Sequence, residues 1–270
     1  MLIARIISAV IAVIVILLLL FVMPAAYLSY VVAVVFLGAG WEWSALARMH
    51  RAPIRLAFAL GVVALCLLVN ITLTDTLFRA VLIAAGLWWL AAFVLVIRYP
   101  LRVPAALVAL GAPLTLVPAY IGITALARFP VHELYAGSGL LLFVLVVIWG
   151  ADVGGYFAGR FLGKRKLAVK VSPNKTWAGV FGGLALSAVI GGVGSVLFDF
   201  PATRLVPLCI ATGAISVLGD LLISLFKREA GLKDSGVLFP GHGGLLDRLD
   251  SISAGLPLFV AGVAIGHGPW

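Results

Sequence analysis

The sequence predicts an all-α, polytopic integral membrane protein with about nine transmembrane helices, and three observations predict it. Hydrophobic side chains make up 64% of the 270 residues and charged ones 11%, with a mean hydropathy of +1.22; a soluble globular domain carries roughly a quarter charged residues. The apolar residues fall into runs of about 20, the length that crosses a hydrocarbon core as a helix. The Lys and Arg residues sit in short clusters between those runs, which is how a membrane protein fixes its orientation. The same clustering argues against reading the formal charge of +9 as affinity for nucleic acid, and no nucleic-acid partner is expected.

Taken in order, the candidate spans are approximately 3–22, 26–46, 54–71, 78–97, 103–122, 138–158, 177–197, 205–225 and 251–268. The first follows Arg5 and exceeds the roughly 7–15-residue core of a secretory signal, so it reads as a retained span. The second carries Glu42 between Trp41 and Trp43, two indoles that fit an interfacial belt. The third and fourth are apolar runs set off by charged or Pro/Gly breaks. Pro104, Pro113 and Pro118 interrupt the fifth, which is expected to be kinked or broken. The sixth ends in a charged stretch that begins at Asp152. In the seventh, Gly179, Gly182 and Gly183, then Gly191, Gly192 and Gly194, suit close helix packing better than a phosphate loop. The eighth reaches Asp220 before its basic end, and the ninth follows Asp250. Cys66 and Cys209 lie inside apolar segments and read as small buried hydrophobes.

With the N-terminus on the cytoplasmic side and the C-terminus outside, 16 of the 19 Lys and Arg residues fall on the cytoplasmic side, leaving Arg79, Arg128 and Arg204. That asymmetry supports an odd number of spans. Residues 1–136 contain only Glu42, Asp75 and Glu133 as acids and read as a scaffold. Residues 137–270 read as the catalytic region, with cytoplasmic loops at 159–176 and 226–250. No internal repeat is evident, which weakly disfavours an inverted-repeat transporter.

The stretch from Asp220 to Asp250 concentrates ionisable groups in a chain otherwise almost free of them, and such groups near a membrane mark a functional site by default. Asp220, Ser224, Lys227 and Arg228 are spaced to share one helix face. They suit either a cation site below an anion-binding rim, or a structural Asp–Lys pair with snorkelling basic residues. Lys233 and Asp234 follow, then Pro240, Gly241, His242, Gly243 and Gly244, whose glycines permit a sharp turn with N–H groups facing phosphate oxygens. Asp247 and Asp250 stand one turn apart at a helix start. Carboxylates beside a glycine turn and several cations are what a Mg²⁺–nucleotide complex requires. Asp152, Tyr156 and Arg160 repeat the arrangement of a carboxylate below a basic end. Ser172, Asn174, Lys175 and Thr176 stand just before a helix, as a phosphate site or with Ser172 or Asn174 as caps. No Walker loop and no H-E-x-x-H zinc motif is present.

These residues carry a resemblance. Ser224-x-x-Lys227-Arg228, four residues, Lys233-Asp234-x-Gly236, two residues, and Phe239-Pro240-x-His242-Gly243-Gly244-x-x-Asp247-Arg248-x-Asp250 resembles the signature of phosphatidate cytidylyltransferases. Support extends upstream to Asp152 and Ser172–Thr176, so the match spans roughly 150–252. The resemblance implies transfer of a cytidylyl group from CTP to phosphatidic acid with Mg²⁺ as cofactor. It implies that Asp220 and Asp247 ligate metal, with Asp250 and Asp152 as nearby carboxylates. Lys227, Arg228, Lys233 and Arg248 would meet phosphates. Ser172, Asn174, Lys175, Thr176, Ser224, His242, Gly243 and Gly244 are candidate substrate contacts, His242 as a hydrogen-bond donor or loop organiser. Ala178 departs from the family pattern, which commonly has glutamate there. The resemblance further implies a bacterial inner-membrane location, a site open to the cytoplasm, membrane lipids as partners and a homodimer. The alternative from another class is a cation-coupled transporter using Asp152 and Asp220 as intramembrane ion sites.

Overall fold

Apolar runs become helices because a chain in hydrocarbon must satisfy its backbone N–H and C=O groups internally. The computed structural model describes residues 2–129, 137–236 and 243–267, and nine helices account for nearly all of them. They are α1 (Leu2–Phe21), α2 (Ala25–Leu46), α3 (Ala52–Ile71), α4 (Asp75–Arg98), α5 (Ala105–Arg128), α6 (Gly137–Leu162), α7 (Trp177–Leu197), α8 (Ala202–Glu229) and α9 (Leu246–His267). Among the described residues, eight of these, α2 to α9, contain segments long and apolar enough to cross a membrane. α1 is a further helix of 20 apolar-rich residues. The chain is thus an all-α polytopic membrane protein.

Several helices outrun their apolar cores. α8 has 28 residues, about 42 Å at 1.5 Å per residue, against a hydrocarbon thickness of about 30 Å. The surplus carries Lys227 and Arg228 beyond the apolar zone on an unbroken helix, so their positions relative to Asp220 are set by helix geometry. α9 begins at Leu246, five residues ahead of the predicted 251, which puts both Asp247 and Asp250 within its first turns.

α5 shows no break, one of the two outcomes its prolines suggested. It continues from Ala105 to Arg128 through Pro113 and Pro118. The proline-freed backbone is tolerated because protein surrounds the helix: α2, α3, α4, α6 and α9 all pack on it. Side chains tie it in place. The Trp43 indole donates to the Val108 carbonyl at 2.7 Å, the Trp88 indole to Thr115 Oγ1 at 2.8 Å, and the Tyr120 hydroxyl to the Ser29 carbonyl at 2.9 Å. Trp43 is therefore core, packed edge-on against Phe226, and only Trp41 is exposed, with the Arg55 guanidinium 4.3 Å from its ring centroid. The predicted belt is half a belt.

Gly179, Gly182, Gly183 and Gly194 of α7 pack against α6, whereas Gly191 faces α8 and Gly192, expected to serve close packing too, meets nothing within 4 Å. A Cβ at Gly179 would lie 2.8 Å from the Gly155 carbonyl oxygen, and one at Gly154 would lie 2.6 Å from that of Gly182. Such proximity lets the two backbones touch. Between these helices, residues read as a loop form an antiparallel hairpin, β1 (Lys166–Ala168) and β2 (Ser172–Thr176), pairing Lys166 with Thr176 and Ala168 with Ser172.

At one end of the bundle the connections meet. Arg48, after α2, donates to the Glu229 carbonyl at 2.8 Å and pairs with its carboxylate at 3.3 Å, while the Val103 N–H, before α5, donates to that carboxylate at 3.1 Å. This groups the α2–α3, α4–α5 and α8–α9 connections, as the Lys and Arg alternation predicts. Cys66 and Cys209 are free and buried.

Candidate active site

Three helices and the hairpin converge on one cluster of carboxylates. Asp220 of α8 is engaged on both oxygens: the Lys175 ammonium of β2 is 2.7 Å from Oδ2, and the Ser224 hydroxyl, one turn along α8, donates to Oδ1 at 3.1 Å. Asp152 of α6 and Asp250 of α9 stand within electrostatic range of Asp220 and of Lys175; Ser251 hydrogen-bonds Asp152, and Arg248 acts on it as a nearby positive charge. The Ser251 N–H donates to Asp250 Oδ1 at 2.7 Å. Three carboxylates thus share the Lys175 ammonium, with Arg248 as a further positive charge near Asp152. Like charges held together favour an added cation.

Hard carboxylate oxygens are suitable donors for Mg²⁺, which is usually held by one or two carboxylates together with substrate phosphates. Among the described residues, no three His, Cys, Asp or Glu side chains close on a single ion. The described residues therefore offer no all-protein cage of three such ligands.

Asp247 stands at the centre of a second group of contacts. Lys227 donates to its Oδ1 at 2.6 Å, and the N–H groups of Ser235 and Gly244 donate to its Oδ2 at 3.0 and 2.9 Å. The Lys227 and Asp247 side chains are 12% and 11% exposed. The geometry ties Asp247, which sequence offered as a metal ligand, to Lys227 and to the loop. Gly243 has φ of 82° and lies against the Asp247 carboxylate, the left-handed region that favours glycine.

Pro240 and Gly241 of the predicted turn lie outside the described residues; four N–H groups flanking that stretch bond carboxylates. Those of Ser235 and Gly244 meet Asp247, while those of Leu245 and Leu246 meet Glu42, at 2.9 and 2.8 Å. The Ser235 hydroxyl donates to Glu42 Oε2 at 2.7 Å. Glu42 is 6% exposed, so α2, in the half of the chain assigned to scaffold, contributes a buried carboxylate to the loop.

Of the remaining predicted residues, Arg228, Lys233, Asn174 and Arg248 are exposed, Ser172 is half-buried on β2, and His242 lies outside the described residues. Thr176 is buried and caps α7, accepting from the Gly179 N–H at 3.1 Å; neither Ser172 nor Asn174 is the cap, because both precede it on β2. Arg160 donates to the Tyr156 hydroxyl at 2.7 Å, so the i, i+4 pair joins while Asp152 turns to the cluster.

Comparison with known proteins decides the family. The model described as "Cytidylyltransferase family" matches residues 3–265. The chain belongs to the cytidylyltransferase family. Its relatives include proteins named phosphatidate cytidylyltransferase from Haemophilus influenzae, 40% identical and covering 96% of this chain and 97% of the relative, and from Pseudomonas aeruginosa, 40% identical with 97% and 96% covered. One from Brucella suis is 44% identical over 45% of this chain and 46% of its own length.

In this cytidylyltransferase-family chain the transporter alternative finds no support. Sequence reasoning missed Glu42 and Ser235. An acid within an apolar run was the available signal for Glu42, and the flanking tryptophans diverted it to the interface. Ser235 carried no signal beyond lying inside the motif.

Proposed function

We propose that this chain transfers the cytidylyl group of CTP to phosphatidic acid, forming CDP-diacylglycerol and pyrophosphate. The observation that carries the reading is the convergence of Asp152, Asp220 and Asp250 from three helices around Lys175, beside the Lys227–Asp247 pair. The names of the full-length relatives support it.

An oxygen of the lipid phosphate forms a bond to the α-phosphorus, and the bond from that phosphorus to the oxygen bridging to the β-phosphorus breaks. Pyrophosphate leaves with the bonding electrons. The nucleophile is already ionised near neutral pH, so no strong general base is needed; the barrier is an anion approaching a polyanion. Asp220 and Asp250, with Asp152 adjacent, would hold Mg²⁺, which when bound neutralises phosphate charge and polarises the phosphoryl oxygens. Asp247 orients Lys227 as a fixed cation toward the phosphates. Lys175 keeps the carboxylates from repelling the substrates, and Arg228, Lys233 and Arg248 supply positive charge at the rim. Ser224 orients Asp220. The acyl tails stay among the spans while the nucleotide arrives from water.

The site faces the cytoplasm of a bacterial inner membrane on this reading, as the excess of Lys and Arg on that side supports. Reporter tags in the 164–170 turn and at the C-terminus should report opposite sides; a common side would reject this topology. For the reaction, purified protein given labelled CTP, phosphatidic acid and Mg²⁺ should form a labelled CDP-lipid. Folded protein that forms none with any of several acceptor lipids would reject the function.

A further inference from the structure

Glu42 is separated by 193 positions from Ser235 of the motif it touches, and its geometry is that of a clamp. Its Oε2 accepts from the Ser235 hydroxyl and the Leu246 N–H, its Oε1 from the Leu245 N–H. The bonds come from both ends of one loop, since Ser235 follows α8 and Leu245–Leu246 open α9. Two motif glycines make room for it: a Cβ on Gly236 or Gly244 would run into the Glu42 carboxylate. These glycines therefore accommodate a protein carboxylate through the lack of a side chain.

Ser235 connects the clamp to the chemistry. Its hydroxyl donates to Glu42 and its N–H donates to Asp247, which holds Lys227 at 2.6 Å. Gly244, whose N–H is the second backbone donor to Asp247, directly precedes the two residues that Glu42 holds. A buried carboxylate is costly unless its oxygens are hydrogen-bonded, so the loop ends and Glu42 order one another. We infer that Glu42 is a positioning residue for the transfer reaction, pinning residues 235–236 and 244–246 so that the N–H groups of Ser235 and Gly244 fix Asp247 and, through it, Lys227. This rests on the cytidylyl-transfer reading above.

The test uses Glu42→Gln, Ser235→Ala and the double variant, each purified to the same folded state, with kcat measured at saturating CTP, phosphatidic acid and Mg²⁺. The amide of Glu42→Gln keeps the shape but must turn an NH₂ toward at least one N–H or toward the Ser235 hydroxyl, so kcat falls about tenfold. Ser235→Ala removes one donor and lowers kcat about threefold. The double variant stays within about twofold of Glu42→Gln, because the Ser235 hydroxyl acts through Glu42. Should Glu42→Gln not fold, Ser235→Ala and Gly236→Ala carry the test, and both must lower kcat. A structural staple would lower thermal stability while leaving kcat of the folded variants at the wild-type value. That outcome, or losses that multiply in the double variant, overturns the inference. Wild-type protein that makes no CDP-lipid would instead remove the reaction on which it rests.

Discussion

Replacing Asp247 with asparagine is the perturbation for which the structure sets the largest effect. The carboxylate holds Lys227 on one oxygen and two backbone N–H groups on the other. Asparagine has nearly the same shape but one acceptor oxygen, so its NH₂ must face either the ammonium or the two N–H donors. With the side chains only 12% and 11% exposed, solvent compensates little. Removing one partner of a buried pair costs about 3–5 kcal/mol; taking the lower bound for a pair at the membrane surface, about 3 kcal/mol of positioning of Lys227 is lost. At about 1.4 kcal/mol per decade this is a fall of about 100-fold in turnover. The assay is the initial rate of labelled CTP incorporation into lipid at saturating substrates, with thermal unfolding confirming that the protein is folded. A folded Asp247→Asn enzyme within threefold of the wild-type rate would refute the role given to this pair.

Other outcomes follow from the same geometry. Lys175→Met removes the ammonium 2.7 Å from Asp220, leaving the carboxylates more attractive to a divalent cation; half-saturating Mg²⁺ should fall roughly fivefold, from about 1 kcal/mol of lost repulsion, while turnover also falls. A Mg²⁺ titration that shifts upward or not at all counts against the carboxylate cluster as the metal site. At the α6–α7 contact, Gly183→Ala puts a Cβ 2.5 Å from the Ala151 carbonyl oxygen and should cost about 1–3 kcal/mol of stability. Gly192→Ala, where a Cβ meets nothing within 4 Å, should be neutral or stabilising by up to about 1 kcal/mol. Thermal unfolding in one detergent compares the two, and equal effects would mean that α6 and α7 do not approach as described.

Much of the scaffold was legible because hydrocarbon leaves a chain few options: apolar runs broken by charge delimit helices to within a few residues. The break suggested for α5 does not occur, because proline content is local whereas the packing that tolerates it is not. Helical spacing placed Asp220 and Ser224 on one face, and they are hydrogen-bonded. Periodicity is silent about partners on other elements. It could not pair Lys175 with Asp220 across 45 residues of chain, nor bring Glu42 to Ser235 across 193. Gly243 and Gly244 make a related point: glycines announce a close backbone approach without naming what approaches, and here it is Asp247 and Glu42. Short polar strands such as β1 and β2 lack any run long enough to distinguish them from loop.

The central claim is that the α-phosphorus of CTP is attacked by a lipid phosphate at the cluster of Asp152, Asp220 and Asp250. The most direct measurement compares CTP labelled at the α-phosphate with CTP labelled at the γ-phosphate, in purified wild-type protein with phosphatidic acid and Mg²⁺. The α-label should appear in the lipid product and the γ-label in pyrophosphate, and Asp220→Asn should suppress both. A γ-label in the lipid, or undiminished transfer by a folded Asp220→Asn protein, would contradict the account.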